Sequence, residues 1–126
     1  MVRLSRLELR VMETLWKKEA STIRELQEAF PAKSRPAYST IQTVVYRLEG
    51  KRAVKRTWRL GNADMFEPAV TRGAVYKSLV DDFLGIFGGR TEPLMAHLIE
   101  RGKLRLEDIQ AAERLLRSTG NRKAPK

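Results

Sequence analysis

Cysteine is absent from the chain, and histidine occurs once, as His97. Without a thiol there is no disulfide, no cysteine-based zinc site and no cysteine nucleophile. One imidazole cannot build a multi-histidine metal centre, so no metal and no other cofactor is expected. No nucleophile–base pair and no glycine-rich phosphate loop is found, which leaves no catalytic residue to nominate and argues against an enzyme. Long apolar runs are missing too. The opening MVRLSRLELR lacks the apolar stretch of a signal peptide. No segment approaches the roughly 18 apolar residues of a membrane span. These absences together predict a soluble cytoplasmic protein with no membrane insertion.

Acidic residues are in deficit. Against 25 Lys and Arg stand 15 Asp and Glu, a formal charge of +10 on 126 residues. Such an excess points to a polyanionic partner, nucleic acid first. It is spread unevenly. Residues 1–70 carry 14 basic and 8 acidic side chains, net +6, whereas residues 71–119 carry 8 and 7, net +1. Arg122, Lys123 and Lys126 then make residues 120–126 a basic tail, expected to be disordered. The first part suits a polyanion reader; the nearly neutral middle suits something else.

What is present is a succession of short patterned elements. Ser5 and Glu8 have capping-box spacing, and Leu9, Met12, Leu15 and Trp16 follow on one helical face. Thr22 and Glu25 repeat the signal before Ile23, Leu26 and Phe30, and Pro31 limits that helix. PAKSRP reads as a loop. A third helix is predicted over Tyr38–Glu49, with Ile41, Val44, Val45 and Leu48 as its buried stripe and Gly50 as a left-handed terminator. AVKRTWRL, the turn GNAD and MFEP predict a hairpin ended by Pro68. Three helices followed by a hairpin make the winged helix-turn-helix plan, assigned to residues 1–72. Further helical patterns near 74–87, 93–101 and 106–117 form a second region, residues 73–119. The expected fold is mainly α with a small β-hairpin wing.

A helix in the major groove presents three or four side chains to base edges. The third helix offers Ser39, Thr40, Gln42 and Thr43, with Tyr38 at its start and Arg47 near its end. Gln42 can pair with adenine, and a threonine methyl can meet that of thymine; the alternative is a plain solvated face. From Arg47 to Arg59 six cations, Arg47, Lys51, Arg52, Lys55, Arg56 and Arg59, accompany a single acid, Glu49. Of these, Arg47, Lys51, Lys55, Arg56 and Arg59 are the candidates for phosphate neutralisation. Trp16 is assigned to the core, and Trp58 to packing of the wing, with backbone contact as its alternative.

The last three helical patterns are too small to bury a core alone, and oligomerisation is the usual remedy. Val75, Leu79, Phe83, Phe87, Leu94, Leu98, Ile109, Leu115 and Leu116 are the candidate dimerisation residues, with packing back on the wing domain as the alternative. A homodimer would present two readers to a two-fold related site on double-stranded DNA. A winged helix can also serve as an RNA-binding or nucleoid-type module without sequence preference, or as a protein adaptor, since fold alone does not decide function.

These residues resemble the penicillinase and methicillin-resistance repressor family over roughly residues 4–117. LELRVMETLW (7–16) is similar to its first helix, STIQTVVYRLEGK (39–51) to its recognition helix, and FEPAV (66–70) to the end of its wing. FGG (87–89) and KLRLEDIQAAERLL (103–116) resemble its dimerisation region. The resemblance implies a homodimeric repressor on a palindromic operator, with DNA contact at Ser39, Thr40, Gln42, Thr43 and Arg47. Family members often carry basic residues where Ser39 and Gln42 stand. In antibiotic-resistance members a membrane sensor protease triggers cleavage within the dimerisation region, which implies such a protease as a partner. Here His97 and Leu98 replace the Asn-Phe pair of those members, and the cysteine cluster of copper-responsive members is lacking. His97 is read as a helix residue of the dimer core.

Overall fold

The computed structural model describes residues 3–120. Of the expected basic tail only Gly120 falls within them; Arg122, Lys123 and Lys126 lie outside the described residues. The chain forms two compact units that meet between Asp81 and Asp82, nine residues after the expected boundary.

The first unit opens with α1 (Arg6–Lys18), α2 (Ile23–Glu28) and α3 (Tyr38–Gly50), with a short 3-10 turn at Ala32–Ser34. Both capping boxes form. The Glu8 carboxylate accepts from the Ser5 N–H at 2.7 Å, and that of Glu25 accepts from the Thr22 N–H at 2.8 Å. Each supplies an acceptor to a free donor of the first turn. The stripes then pack on one another: Met12 and Leu15 of α1, Leu26 of α2 and Ile41, Val45 and Leu48 of α3 are fully buried. Val11 joins them in place of Leu9, which is half-buried.

Strands β1 (Val54–Leu60) and β2 (Ala63–Pro68) pair antiparallel around Gly61 and Asn62. Gly61 has φ +63°, whereas Asn62 does not enter the positive region, the pattern of a type II′ turn. Phe66, fully buried, is the wing's anchor in the core. Its backbone exchanges two hydrogen bonds with Ser21, of 2.9 and 3.0 Å, pinning β2 to the segment between α1 and α2. A register shift between Arg56 and Arg59 leaves Trp58 out of the ladder. The residue is 50% exposed; contrary to expectation, it is not enclosed in a core of the wing.

The end of α3 also differs from expectation. Gly50 remains helical, and the left-handed residue is Arg52, at φ +63°. The Ala53 N–H donates to Leu48 O and the Arg52 N–H to Glu49 O, the paired bonds of a Schellman ending. Ala53 and Val54 enter the core just after this turn, and that burial dictates where the chain must reverse.

Helix α4 (Arg72–Ile86) begins in the first unit. The Trp16 indole donates to Val70 O at 2.9 Å and meets the Tyr76 ring edge-on at 6.2 Å. Arg72 pairs with Glu13 at 3.2 Å, and the Tyr76 hydroxyl donates to the same carboxylate. That bond holds the Tyr76 phenol above its ordinary pKa, since ionisation would set two anions side by side. Val75, between these contacts, is 3% exposed. This corrects its assignment to a dimer surface: its own chain already covers it.

In the second unit the end of α4 is followed by α5 (Glu92–Glu100) and α6 (Leu106–Gly120). None of residues 82–119 is buried. Phe83 and Phe87 touch edge to face at 5.3 Å, yet Ile86, Leu106, Leu115 and Leu116 remain largely exposed. The imidazole of His97 is exposed within the single chain, 3.8 Å from Glu100.

Candidate nucleic-acid interface

Helix α3 divides cleanly. Ile41, Val44, Val45 and Leu48 face the core, while Tyr38, Ser39, Thr40, Thr43, Tyr46 and Arg47 are exposed and Gln42 is half-exposed. Two shallow grooves flank this polar face. One, of about 320 Å³, is lined by Ser39, Thr40, Thr43 and Arg47 together with Leu7 and Val44. The other, of about 380 Å³, runs between α3 and the wing tip and is lined by residues including Tyr38, Gln42, Tyr46 and Asn62. The structure therefore brings the sequence-predicted reading residues together on one surface.

Local bonds define what each can offer. The Thr43 hydroxyl donates to Ser39 O at 3.0 Å. Its donor is thus occupied, and its oxygen and methyl remain for a partner. Gln42 Nε2 donates to the Tyr46 hydroxyl at 3.3 Å.

The cations sort into two kinds. Lys51 is engaged inside the chain: its ammonium donates to Glu8 Oε1 and to Arg3 O, each at 2.7 Å. Burial pushes the Glu8 carboxyl up, but the Lys51 hydrogen bond, the Ser5 N–H and the Lys51 charge outweigh it and hold Glu8 below its ordinary range. Arg56 is engaged as well. It donates to Glu49 at 2.9 and 3.2 Å and to Asp64 at 2.8 Å. The Glu49 bond raises its pKa further, against a smaller opposing effect of burial. Arg59 approaches Asp64 at 3.6 Å and donates to Asn62 O at 3.0 Å, with 65% of its side chain exposed. Among the described residues no carboxylate lies within ion-pair distance of Arg47, Arg52 or Lys55. The structure thus separates Lys51 and Arg56, expected on phosphates, from the unpaired Arg47 and Lys55.

One cation escaped the sequence reading. Arg24, exposed on α2, stacks over the Tyr38 ring at 5.1 Å and lines the same groove as Gln42. Fourteen residues separate it from Tyr38, and no local spacing rule would pair them. Among the described residues no three His, Asp or Glu side chains converge where a metal could be held. No described helix is long and apolar enough to cross a membrane.

The sequence pattern of the penicillinase repressor family matches residues 4–118. The chain belongs to the penicillinase repressor family. A curated relative, the transcriptional regulator BlaI of Mycobacterium tuberculosis, is 33% identical over 104 residues, covering 80% of this chain and 75% of BlaI. In structure the chain is similar to a mutant MarR from E. coli, with a TM-score of 0.53 and 17% identity over 92% of this chain and 77% of MarR. It is also similar to that MarR mutant complexed with operator DNA, with a TM-score of 0.51 and 16% identity over 92% of this chain and 75% of MarR. The MarR likenesses support the winged-helix fold alone. The penicillinase repressor family is one of DNA-binding transcriptional repressors, not enzymes.

Proposed function

We propose that this penicillinase repressor family member binds a palindromic operator as a homodimer and represses the adjoining gene. In each copy α3 enters the major groove and the hairpin flanks the backbone. Ser39, Thr40, Gln42 and Thr43 read base edges; Arg47, Lys55 and the largely exposed Arg59 neutralise phosphates, with Arg24 and Tyr38 beside them. Lys51 and Arg56 support the interface from behind through their ion pairs.

The observation that carries this reading is the two-sided α3, with hydroxyl, carboxamide and guanidinium groups and two tyrosines on its exposed face in a chain of charge +10. The dimer rests on Leu79 near the end of the first unit and on the second unit, where Phe83, Phe87, Leu94, Leu98, Ile109, Leu115 and Leu116 are, like Leu79, half-buried or exposed and no residue from 82 to 119 is buried. Joining two readers makes the second contact intramolecular and raises affinity by about 100-fold or more.

Selection of genomic fragments by the full chain at about 150 mM salt tests the proposal. The expected result is a common two-fold related motif near promoters. Equal recovery of scrambled duplexes would instead favour a nucleic-acid-binding module without sequence preference.

A further inference from the structure

Tyr46 lines the groove between α3 and the wing tip but has been given no contact with DNA, and it sits 45% exposed one turn beyond Gln42. Its hydroxyl accepts from Gln42 Nε2 at 3.3 Å. Its ring is held in turn. The Arg56 guanidinium lies 5.3 Å from the ring centroid, a favourable cation–π distance. That guanidinium is anchored by Glu49 and Asp64 and also lies 5.1 Å from the ring of the fully buried Phe66. A continuous stack thus runs from the core through the wing to the reading helix: Phe66, Arg56, Tyr46, Gln42.

We infer that Tyr46 is a specificity-determining positioning residue, holding the Gln42 carboxamide in the orientation that matches adenine and mismatches guanine. The inference rests on the placement of α3 in the major groove proposed above. A carboxamide has two N–H donors and a carbonyl acceptor. With one N–H occupied by Tyr46, Gln42 offers the groove one donor and one acceptor. Adenine presents the complement, acceptor N7 and the donor N6 amino group. Guanine presents two acceptors, N7 and O6. An untethered glutamine can turn both N–H groups toward guanine; a tethered one cannot. The ordering is completed in the free protein, so little side-chain freedom remains to be lost when DNA binds.

The full chain tests this through three proteins: wild type, Tyr46→Phe and Gln42→Ala. Selection from randomised duplexes defines the preferred site, and Gln42→Ala identifies its contact as the position where base preference disappears. Affinities are then compared between the site carrying A·T and G·C at that position, with a scrambled duplex and a salt series alongside. Tyr46→Phe keeps the ring on Arg56 and removes only the hydroxyl. Its adenine-over-guanine preference is expected to fall about threefold to tenfold. Affinity for scrambled duplex and the salt slope stay unchanged, because no phosphate contact is lost. A merely structural role would move all three readouts together. An undiminished preference in Tyr46→Phe overturns the inference, and so does an equal loss on every duplex, which would make Tyr46 a backbone contact. Should the wild type itself select no motif, the operator reading fails first and this inference falls with it.

Discussion

The two units of this chain handle apolar surface in opposite ways. In the first, Phe66 of the wing and the stripes of α1, α2 and α3 enclose one another until Met12, Leu15, Leu26 and Ile41 lose all contact with solvent. In the second, α5 and α6 carry helical stripes of similar spacing, yet Leu115 and Leu116 remain 65% and 69% exposed. Periodicity is thus necessary for a core but not sufficient. A hairpin closes one unit, while the other, about 45 residues long, lacks the area to close by itself.

The comparison breaks most visibly at Phe66. Phe66→Ala should destabilise the first unit by about 3–5 kcal/mol in urea unfolding, while sedimentation still reports association of copies. Simultaneous loss of both would show that the units do not stand separately. Leu116→Asp probes the other side. In a lone chain the change is nearly neutral, since the side chain is already wet; in a dimer it places a charge in an apolar contact. The expected outcome is a monomer with about 100-fold weaker operator binding and an unaltered first-unit unfolding transition. A variant that stays dimeric would remove Leu116 from the contact between copies.

Smaller effects sharpen the picture of the first unit. Glu8→Gln replaces the carboxylate that binds Lys51 and should cost about 1.5 kcal/mol at neutral pH. Because the folded pKa of Glu8 lies below its ordinary 4.5, the stabilisation is complete above that value and is lost as pH falls through the depressed one. The gap between wild type and Glu8→Gln should therefore narrow in urea titrations below pH 4.5. A constant gap would mean that the ion pair contributes nothing. Arg52→Gly relieves a left-handed backbone at φ +63°. A gain of about 1 kcal/mol is expected from the shift in urea midpoint. A loss would show that the arginine side chain contributes more to folding than its backbone costs.

Much of the first unit was legible along the chain. Ser5 with Glu8 and Thr22 with Glu25 announce helix starts because a capping box is closed by residues three apart. The buried stripe of α3 could be read from the helical period, and its polar face followed by subtraction. Other features were not local. Gly50 was the natural terminator by residue type, but the reversal came at Arg52 because Ala53 and Val54 had to enter the core. Val75 shares its helix and its apolar character with Leu79 and Phe83, and periodicity does not say which layer covers it. Arg24 stands near Tyr38 only once α2 and α3 have packed.

What the sequence determined by itself is the kind of surface: a +10 chain with one polar helix face and a cationic hairpin. What only the tertiary structure decided is which of those charges are left without a carboxylate partner. Lys51 meets Glu8 across 43 residues of chain, and Arg56 is clamped by carboxylates of both α3 and β2. Ion pairs are set by distance in space, which residue order does not record, so the free cations could be identified only after the elements had packed.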